Sequence, residues 1–185
     1  MRYWVLVMCM MISSAWAQMG EVTELIGTKD AYIKRENSKI MLSKKLKLDG
    51  GDEIFSETAE VLIRLSSGTL LNIGKNTQLK LTKEMIDLFK GIIRLKVVKD
   101  SKVQANGVAF EAQTSDFEVS WFDNNSIDLD VYKGEVTVSS PHVHTFVPEI
   151  VKKKEGFTYN PLSPSFNRRS FAPKLKNQLL KSKIK

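Results

Sequence analysis

The stretch that is most informative about the fold is Leu48-Asp-Gly-Gly-Asp-Glu-Ile-Phe-Ser56. Its paired glycines permit the backbone geometry of a tight turn, and the Asp52 side chain can bond back to the local chain. In Ala59–Leu65, every second residue is apolar, which gives a strand with one apolar face. Ser66-Ser-Gly68 then turns the chain into a further apolar run, Thr69–Ile73. The stretch therefore predicts a turn between short β-strands.

Residues 50–55 also read GGDEIF, which lies one residue from the GGDEF or GGEEF signature of cyclases that join two GTP molecules. In those cyclases the signature lies well inside a mixed α/β domain. Here only 32 residues separate Gly50 from the predicted start of the mature chain, and no helix–strand alternation follows. We therefore interpret Gly50, Gly51, Asp52 and Gly68 as turn residues that mark the fold, and we assign them no catalytic role.

Strands with turn signals at intervals of about ten residues continue along the chain. Phe117–Trp121 and Ile127–Tyr132 alternate between apolar and polar residues. This pattern predicts an all-β fold, an antiparallel two-sheet roll that is jelly-roll-like or short-β-helix-like. Thr82–Gly91 can form either a short helix or a strand. We favour the strand because Asp87–Leu95 repeats the pattern of Asp130–Val138, which reads as strand–turn–strand.

The N-terminus has the layout of a secretory signal peptide over residues 1–17. Arg2 precedes an apolar run, and Ala15-Trp-Ala17 is an A-x-A cleavage pattern. The run is shorter than the roughly 20 residues that a membrane-spanning helix needs. We expect cleavage after Ala17, a mature chain that begins at Gln18, and a periplasmic or secreted location. The alternative is an N-terminal strand or anchor helix.

Residues 141–185 differ in composition from residues 18–140, which we take as the β domain. They hold all five prolines and carry 10 lysines and arginines against 2 acids, whereas residues 18–140 carry 17 against 19. This composition predicts a largely irregular basic C-terminal tail, in which residues 174–185 can form a short helix. The tail is either a solvated extension or an anchor to an anionic envelope component. The candidate contacts are Lys152, Lys153, Lys154, Arg168, Arg169, Lys174 and Lys176.

The order of these pieces resembles the FecR domain, the periplasmic β module of FecR-type signalling proteins. The most specific block of that family, L-x-x-G-D-x-I-x-[TS], matches Leu48–Ser56, and its [DS]-G-[ST] turn matches Ser67-Gly-Thr69. The opening Gly-x-Val and the closing V-x-x-G-x-V-x-V resemble Gly20–Val22 and Val131–Val138. The resemblance covers residues 20–140. The central [RK]-G-T-x-F-x-V pattern is only partly present, because Asn106–Phe110 lacks the threonine.

The resemblance implies a non-catalytic module that recognises another envelope protein or a ligand. FecR-type regulators carry a cytoplasmic anti-sigma segment and a membrane helix before this module. Here we expect a signal peptide in their place, so that only the role of the extracytoplasmic module carries over. The resemblance brings no catalytic residue and no cofactor, and we expect no nucleic-acid partner. The alternative function is a lectin-like module that binds cell-wall glycans.

Two further sets of residues are weaker candidates for chemistry. His142 and His144 would share one face of a strand, but no cysteine of the mature chain and no nearby acid completes a metal site. We therefore predict an ordinary strand pair and no metal. Trp121 continues the apolar face of its strand and is expected in the core, which leaves Phe122 as the freer aromatic for contact with a sugar.

Overall fold

The alternating segments of the sequence form β-strands. The computed structural model describes residues 18–27, 30–122, 126–140, 147–160, 165–172 and 174–175. Within these ranges it has no helix and 17 strands. The strands are β1 (Gln18–Ile26), β2 (Ala31–Arg35), β3 (Ser38–Met41), β4 (Lys47–Asp49), β5 (Glu53–Ser56), β6 (Glu60–Leu65), β7 (Leu70–Ile73), β8 (Thr77–Leu81), β9 (Ile86–Lys96), β10 (Ser101–Ala105), β11 (Val108–Ala112), β12 (Asp116–Trp121), β13 (Ile127–Lys133), β14 (Glu135–Ser139), β15 (Glu149–Lys152), β16 (Glu155–Asn160) and β17 (Ser165–Ser170). The predicted all-β fold is confirmed.

The longest strand, β9, belongs to two sheets. Residues 91–96 lie in sheet A, whose order is β4-β1-β6-β7-β9-β12-β13-β16-β17. Residues 86–90 lie in sheet B, whose order is β3-β2-β5-β8-β9-β10-β11-β14-β15. The β9–β10 pair is parallel, which departs from the antiparallel expectation, and every other pair is antiparallel. The shared strand joins all 17 strands into one hydrogen-bonded assembly.

One hydrophobic cluster takes side chains from both sheets. Ile63 and Phe117 enter it from sheet A, and Ile54 and Phe110 enter it from sheet B; all four are fully buried. Alternation along each strand brings every second side chain to this cluster, because successive residues of a strand point to opposite faces. Burial of such a side chain is worth roughly 1.5–3 kcal/mol relative to exposure. We call the face that points away from this cluster the outer face of each sheet.

The repeated Lys-Gly pattern marks two of the places where the chain passes from one sheet to the other. In the first copy β9 bends at Gly91 without a turn, and in the second copy Gly134 separates β13 of sheet A from β14 of sheet B. Both glycines have positive φ, 104° and 77°. A Cβ atom at Gly91 would collide with Thr77, and one at Gly134 would lie 2.5 Å from the carbonyl oxygen of Thr114. The strand predicted for Thr82–Gly91 is confirmed from Ile86, but the first copy is a bent strand rather than strand–turn–strand.

The prediction of an irregular tail is wrong for much of its described part. β15, β16 and β17 extend both sheets, because β14 pairs with β15 and β13 pairs with β16. Val151, Phe157 and Tyr159 alternate into the hydrophobic cluster, which compensates for the ordering of this charged segment. Ser140 therefore does not end the fold. The predicted signal peptide, residues 141–146 and most of the suggested C-terminal helix lie outside the described residues.

Candidate functional site

The turn that follows β4 is held by a buried carboxylate. Asp52 is 1% exposed and accepts two hydrogen bonds from the Arg35 guanidinium, from Nε at 2.8 Å and from Nη2 at 2.7 Å. The backbone N–H of Asp49 donates a third at 2.9 Å. The hydrogen bond to Asp52 raises the pKa of Arg35 and outweighs the opposing effect of burial. Charge-assisted bidentate pairs of this kind are strong, and this one fixes the turn to β2.

The glycines of the turn have the geometry that the sequence predicts. Gly51 has a φ of 101°, and its N–H donates to the carbonyl oxygen of Leu81 at 2.7 Å. Gly68 also has a positive φ, 85°, and closes the β6–β7 turn through an N–H bond to Leu65 at 2.9 Å. The motif that resembles a cyclase signature is thus built into the scaffold. Its second acid, Glu53, lies on the outer face of sheet B, where it pairs with Lys80 at 3.7 Å.

The outer face of sheet A is covered by the chain itself. A row of directly paired residues crosses it from β6 to β17. The row consists of Leu62, Asn72, Arg94, Glu118, Asp130, Gly156 and Arg169. Leu62 and Asn72 are 1% exposed, and Glu118 and Asp130 are 2% exposed. Both of these carboxylates are buried, although the alternation of β13 places Asp130 on the side expected to face solvent.

Described residues near the C-terminus cover the buried carboxylates. The backbone N–H groups of Lys174 and Leu175 donate to Glu118 at 2.7 and 3.1 Å, and the N–H of Ala172 donates to Asp130 at 2.9 Å. Asp130 also accepts a bidentate pair of bonds from Arg169, at 3.0 and 2.7 Å. Buried charges persist only when they are paired and hydrogen-bonded. These contacts make the C-terminal segment part of the scaffold.

The carboxylates beneath this segment have shifted pKa values. Burial raises the pKa of Glu118 above its ordinary value, although hydrogen bonds from Lys174, Tyr132 and Leu175 favour the charged form. Burial alone would also raise the pKa of Asp128. Hydrogen bonds from Lys174 and Thr158 outweigh that effect, so the pKa of Asp128 lies below its ordinary value.

A second ion pair completes the network on this face. Arg94 is 5% exposed and donates to Asp116 at 2.7 and 2.8 Å. Its guanidinium carbon lies 3.4 Å from the centre of the Tyr132 ring, which is the geometry of a cation–π contact. Burial, followed by the Glu118 charge, raises the pKa of Tyr132. Tyr132 in turn packs edge-to-face against Phe171, with ring centres 5.0 Å apart.

The lysines and arginines predicted to contact an anionic envelope component differ in whether they form ion pairs within the chain. Arg168, Arg169 and Lys174 form ion pairs inside the chain, with Glu155 at 3.1 Å for Arg168 and Asp128 at 2.7 Å for Lys174. Lys152, Lys153 and Lys154 lie exposed at the β15–β16 hairpin. Lys176 lies outside the described residues. Among the described candidates, the hairpin lysines are the ones that face solvent without an internal ion pair.

Several large side chains on the outer face of sheet B are exposed. Strand register places two rows of side chains side by side across β3, β2, β5, β8 and β9. The first row is Met41, Tyr32, Phe55, Gln78 and Lys90, and the second is Lys39, Lys34, Glu53, Lys80 and Asp87. Met41, at the β3 end of the first row, is 50% exposed, and Phe89, next to Lys90 at the β9 end, is 42% exposed. We call these two rows the lysine–aromatic face.

Aromatic rings position two lysines of this face. The rings of Tyr32 and Phe55 stack almost in parallel, with centres 4.8 Å apart and an interplanar angle of 8°. Lys39 Nζ lies 3.9 Å from the centre of the Tyr32 ring, and Lys34 Nζ lies 4.8 Å from the centre of the Phe55 ring. Cation–π contacts at such distances hold an ammonium group in place at an exposed site.

The next part of the outer face of sheet B, on β10, β11 and β14, has the opposite charge. A groove of about 710 Å³ there is lined by the acids Glu84, Asp100, Glu111 and Glu135. Glu111 pairs with Lys102 at 2.9 Å. The outer face of sheet B is therefore basic and aromatic towards β3 and acidic towards β14. This separation of charge would direct an anionic ligand to the β3 end of the face.

The remaining predictions concern metal and membrane. In the ranges given above, no group of three or more histidines, cysteines or acids is arranged to hold a metal ion. His142 and His144 lie outside those ranges. Trp121 packs against the hydrophobic cluster, as predicted, while Phe122 has Lys174 Nζ 5.5 Å from its ring centre. No helix in the described part of the chain is long and apolar enough to cross a bilayer.

Comparison with known proteins supports the fold. No protein-family model and no curated protein matches the chain. Two crystal structures of a candidate anti-sigma factor from Parabacteroides distasonis ATCC 8503 are similar to it, with TM-scores of 0.57 and 0.55. Each is 14% identical over 64% of this chain, and each match takes up 59% of the neighbour's chain, less than two thirds of its length. At this identity the likeness shows the fold alone, which is the fold that the FecR resemblance implies.

Sequence reasoning located the turn but missed both sheet faces. The lysine–aromatic face depends on which residues stand opposite each other on β3, β2, β5 and β8, and pairing register is not visible in a linear pattern. Tyr32-Ile-Lys34 and Glu53-Ile-Phe55 do alternate, and this was the signal that could have indicated one exposed aromatic side.

Proposed function

We propose that the protein is a non-catalytic, FecR-like recognition module of the cell envelope. It works in the periplasm or outside the cell, where it binds another envelope protein or a ligand. The fold shared with a candidate anti-sigma factor and the FecR-like order of motifs over residues 20–140 support this function. The turn residues and the buried ion pairs act as scaffold, and recognition belongs to exposed side chains.

The observation that carries the proposal is the difference between the two outer faces. On sheet A, Asn72, Glu118 and Asp130 are at most 2% exposed, because the chain covers its own sheet. On sheet B, Met41 and Phe89 are 50% and 42% exposed beside several lysines. Large exposed apolar side chains on the face of a sheet are available for contact with a partner, whereas the buried side chains of the covered face are not. We therefore assign recognition of the partner or ligand to the lysine–aromatic face.

The basic residues near the C-terminus have a second role in this proposal. Lys152, Lys153 and Lys154 at the β15–β16 hairpin aid localisation by attraction to an anionic envelope component. Attraction between exposed charges is screened by salt, with a Debye length of about 8 Å at physiological ionic strength. Retention of the protein on isolated envelopes should therefore weaken as salt is added.

Site-specific photo-crosslinking tests the recognition face. A photoreactive amino acid is placed at Met41 or Phe89 on the face, or at the exposed Lys75 in the β7–β8 turn as a control. Cells that make the protein are irradiated, and adducts are analysed by mass spectrometry. We expect the same discrete envelope adduct from positions 41 and 89 and none from position 75. Equal labelling from all three positions, or no adduct from positions 41 and 89, contradicts the proposal.

Export is tested separately by cell fractionation and N-terminal sequencing. A mature protein that begins at Gln18 and is recovered outside the cytoplasm is the expected result. A full-length chain that retains Met1 and fractionates with cytoplasmic markers contradicts the location.

A further inference from the structure

We propose that the lysine–aromatic face binds an acidic polysaccharide, a sugar polymer whose repeating units carry carboxylate groups. This inference rests on the proposed function, because it names the ligand of the same recognition face. Three features of the face lead to this ligand class: a pair of lysines directly opposite each other, hydrogen-bonding side chains between the cations, and a further lysine two strands away.

The first feature is the pairing of Lys34 with Lys39. These residues are directly opposite in the antiparallel β2–β3 pair. Like charges in this position repel each other, and each ammonium group lies over an aromatic ring. Both ammonium groups are exposed, and among the described residues neither forms an ion pair with a carboxylate. A ligand carboxylate placed between them would remove the repulsion and gain charge-assisted hydrogen bonds.

The second feature is the mixture of donors and acceptors beside this pair. Glu53, Gln78 and Asp87 lie on the same face, on the strands that follow β2 in the sheet. Their oxygens can accept hydrogen bonds from hydroxyl groups, which every sugar ring offers. The third feature is a further lysine. Lys80 lies two strands from Lys34, a distance of about 10 Å at the usual strand spacing. A polymer that carries both hydroxyls and spaced carboxylates matches this pattern.

The same arrangement disfavours the two other kinds of polyanion. Single-stranded nucleic acid binds through bases stacked on open aromatic faces. Here Tyr32 and Phe55 stack on each other, and lysines lie over their rings. An acidic peptide brings a dense row of carboxylates, which Glu53 and Asp87 would repel. Hydroxyl groups of a sugar, by contrast, are partners for those acids.

Binding is measured by isothermal titration of the mature chain with polygalacturonate. Neutral dextran, poly-L-glutamate and single-stranded poly-dT of similar length serve as comparison ligands. K34E/K39E reverses the lysine pair, and K75E/K99E reverses two exposed lysines in the β7–β8 and β9–β10 turns and matches the change in net charge. Circular dichroism and thermal unfolding verify that both variants remain folded.

We expect polygalacturonate to bind, to bind less well as salt is added, and to bind at least about tenfold more weakly to K34E/K39E. Binding by K75E/K99E should match that of the unaltered chain. Equal loss in both variants would overturn the proposal, because net charge alone would explain binding. Equal or tighter binding of poly-L-glutamate or poly-dT would overturn the ligand class.

The outcome also distinguishes this inference from the function on which it rests. If no acidic polysaccharide binds while photo-crosslinking from Met41 and Phe89 still yields a discrete envelope protein, the inference fails and the recognition function stands. If neither experiment gives a signal from this face, both fail.

Discussion

Two buried carboxylates in this protein take their charge partner from a distant part of the sequence. Asp52 pairs with Arg35, 17 residues away, and Asp130 pairs with Arg169, 39 residues away. Both pairs are bidentate, which fixes the direction of each side chain as well as its charge. Removal of one partner from such a pair leaves a buried charge uncompensated. The effects of single substitutions therefore differ sharply between neighbouring residues.

Replacement of Asp52 tests the turn. In Asp52→Ala, Arg35 and the N–H of Asp49 lose their shared acceptor. We expect the free energy of unfolding to fall by about 2–3 kcal/mol, since a hydrogen bond to a charged group is worth about 1.5–3 kcal/mol and Arg35 is partly solvated. Urea denaturation measures the change. The control is Glu53→Gln on the adjacent residue, whose loose exposed ion pair predicts a change below about 1 kcal/mol. Equal losses would show that the turn does not depend on Asp52.

Glu118→Gln tests the buried carboxylate of sheet A. The pKa of Glu118 is raised in the folded state, so protonation of Glu118 favours folding. This contribution to the free energy of unfolding is fully present below the ordinary pKa of 4.5, and it is lost as pH rises through the folded pKa. The stability of the unaltered chain relative to Glu118→Gln should therefore increase as pH falls from 7 to about 4. Urea denaturation at the two pH values gives the difference. A constant or decreasing difference contradicts the raised pKa.

Asp128→Asn tests a carboxylate whose pKa is shifted in the opposite direction to that of Glu118. The pKa of Asp128 is lowered in the folded state, so its stabilising contribution is present above the ordinary value of 3.8 and is lost as pH falls through the folded pKa. The stability of the unaltered chain relative to this variant should stay level between pH 7 and pH 5 and decrease below 3.8.

At the scale of elements, β9 depends on a glycine where it passes between sheets. Gly91→Ala forces an L side chain into a positive φ and into Thr77. We expect a loss of about 2–4 kcal/mol, from roughly 1–3 kcal/mol of backbone strain together with overpacking. Thermal and urea unfolding measure it. Gly50→Ala is the matched control, because a Cβ there meets only side-chain atoms at 3.7 and 3.8 Å and should change stability by less than about 0.5 kcal/mol. A tolerated alanine at position 91 would contradict the strain.

β17 and the residues after it depend on Arg169. In Arg169→Ala, Asp130 loses its bidentate partner, and we expect a loss of about 2–4 kcal/mol. Hydrogen exchange should accelerate at the amides of Ala172, Lys174 and Leu175, which bond to the same carboxylate cluster. Arg168→Ala is the control, since Arg168 is 56% exposed and its ion pairs predict a loss below about 1 kcal/mol. Similar exchange in both variants would contradict the role of Arg169.

The elements that the sequence predicts are those with strict alternation. β6, β12 and β13 alternate clearly, and their inward residues fill the hydrophobic cluster. β15–β17 were missed because their lysines, arginines and neighbouring prolines dominate the composition. The alternation of Phe157 and Tyr159 was present, but the ion pair that offsets the burial of Asp130 joins residues too far apart for a local pattern to reveal.

At the scale of the whole molecule, the shared cluster and the shared strand predict one unfolding transition. Trp121 is the only tryptophan after residue 17, so its fluorescence reports on sheet A of the mature chain. We expect its urea midpoint to coincide with that of far-UV circular dichroism. A second reporter, Phe166→Trp combined with Trp121→Phe, should give an equal midpoint for β17 relative to its own circular dichroism. An earlier transition at β17 would show that the C-terminal segment is a separate unit.

The lysine–aromatic face is a property of the whole molecule, which is why the sequence did not reveal it. Lys34 and Lys39 are close in the chain, but Glu53, Lys80 and Asp87 join them only through the register of β5, β8 and β9. A slip of one residue in any of these strands would turn the same side chains towards the core. Composition indicated a basic C-terminal region and a nearly neutral body, and this average concealed a basic area within the body.

The late position of Arg169 and Lys174 has a consequence for the order of events in the cell. A chain is made from its N-terminus, so Glu118 and Asp130 leave the ribosome before the backbone N–H of Lys174 and the side chain of Arg169 that donate hydrogen bonds to them. Burial of an unpaired carboxylate costs several kcal/mol. We therefore expect sheet A to pack fully only after Arg169 and Lys174 have emerged.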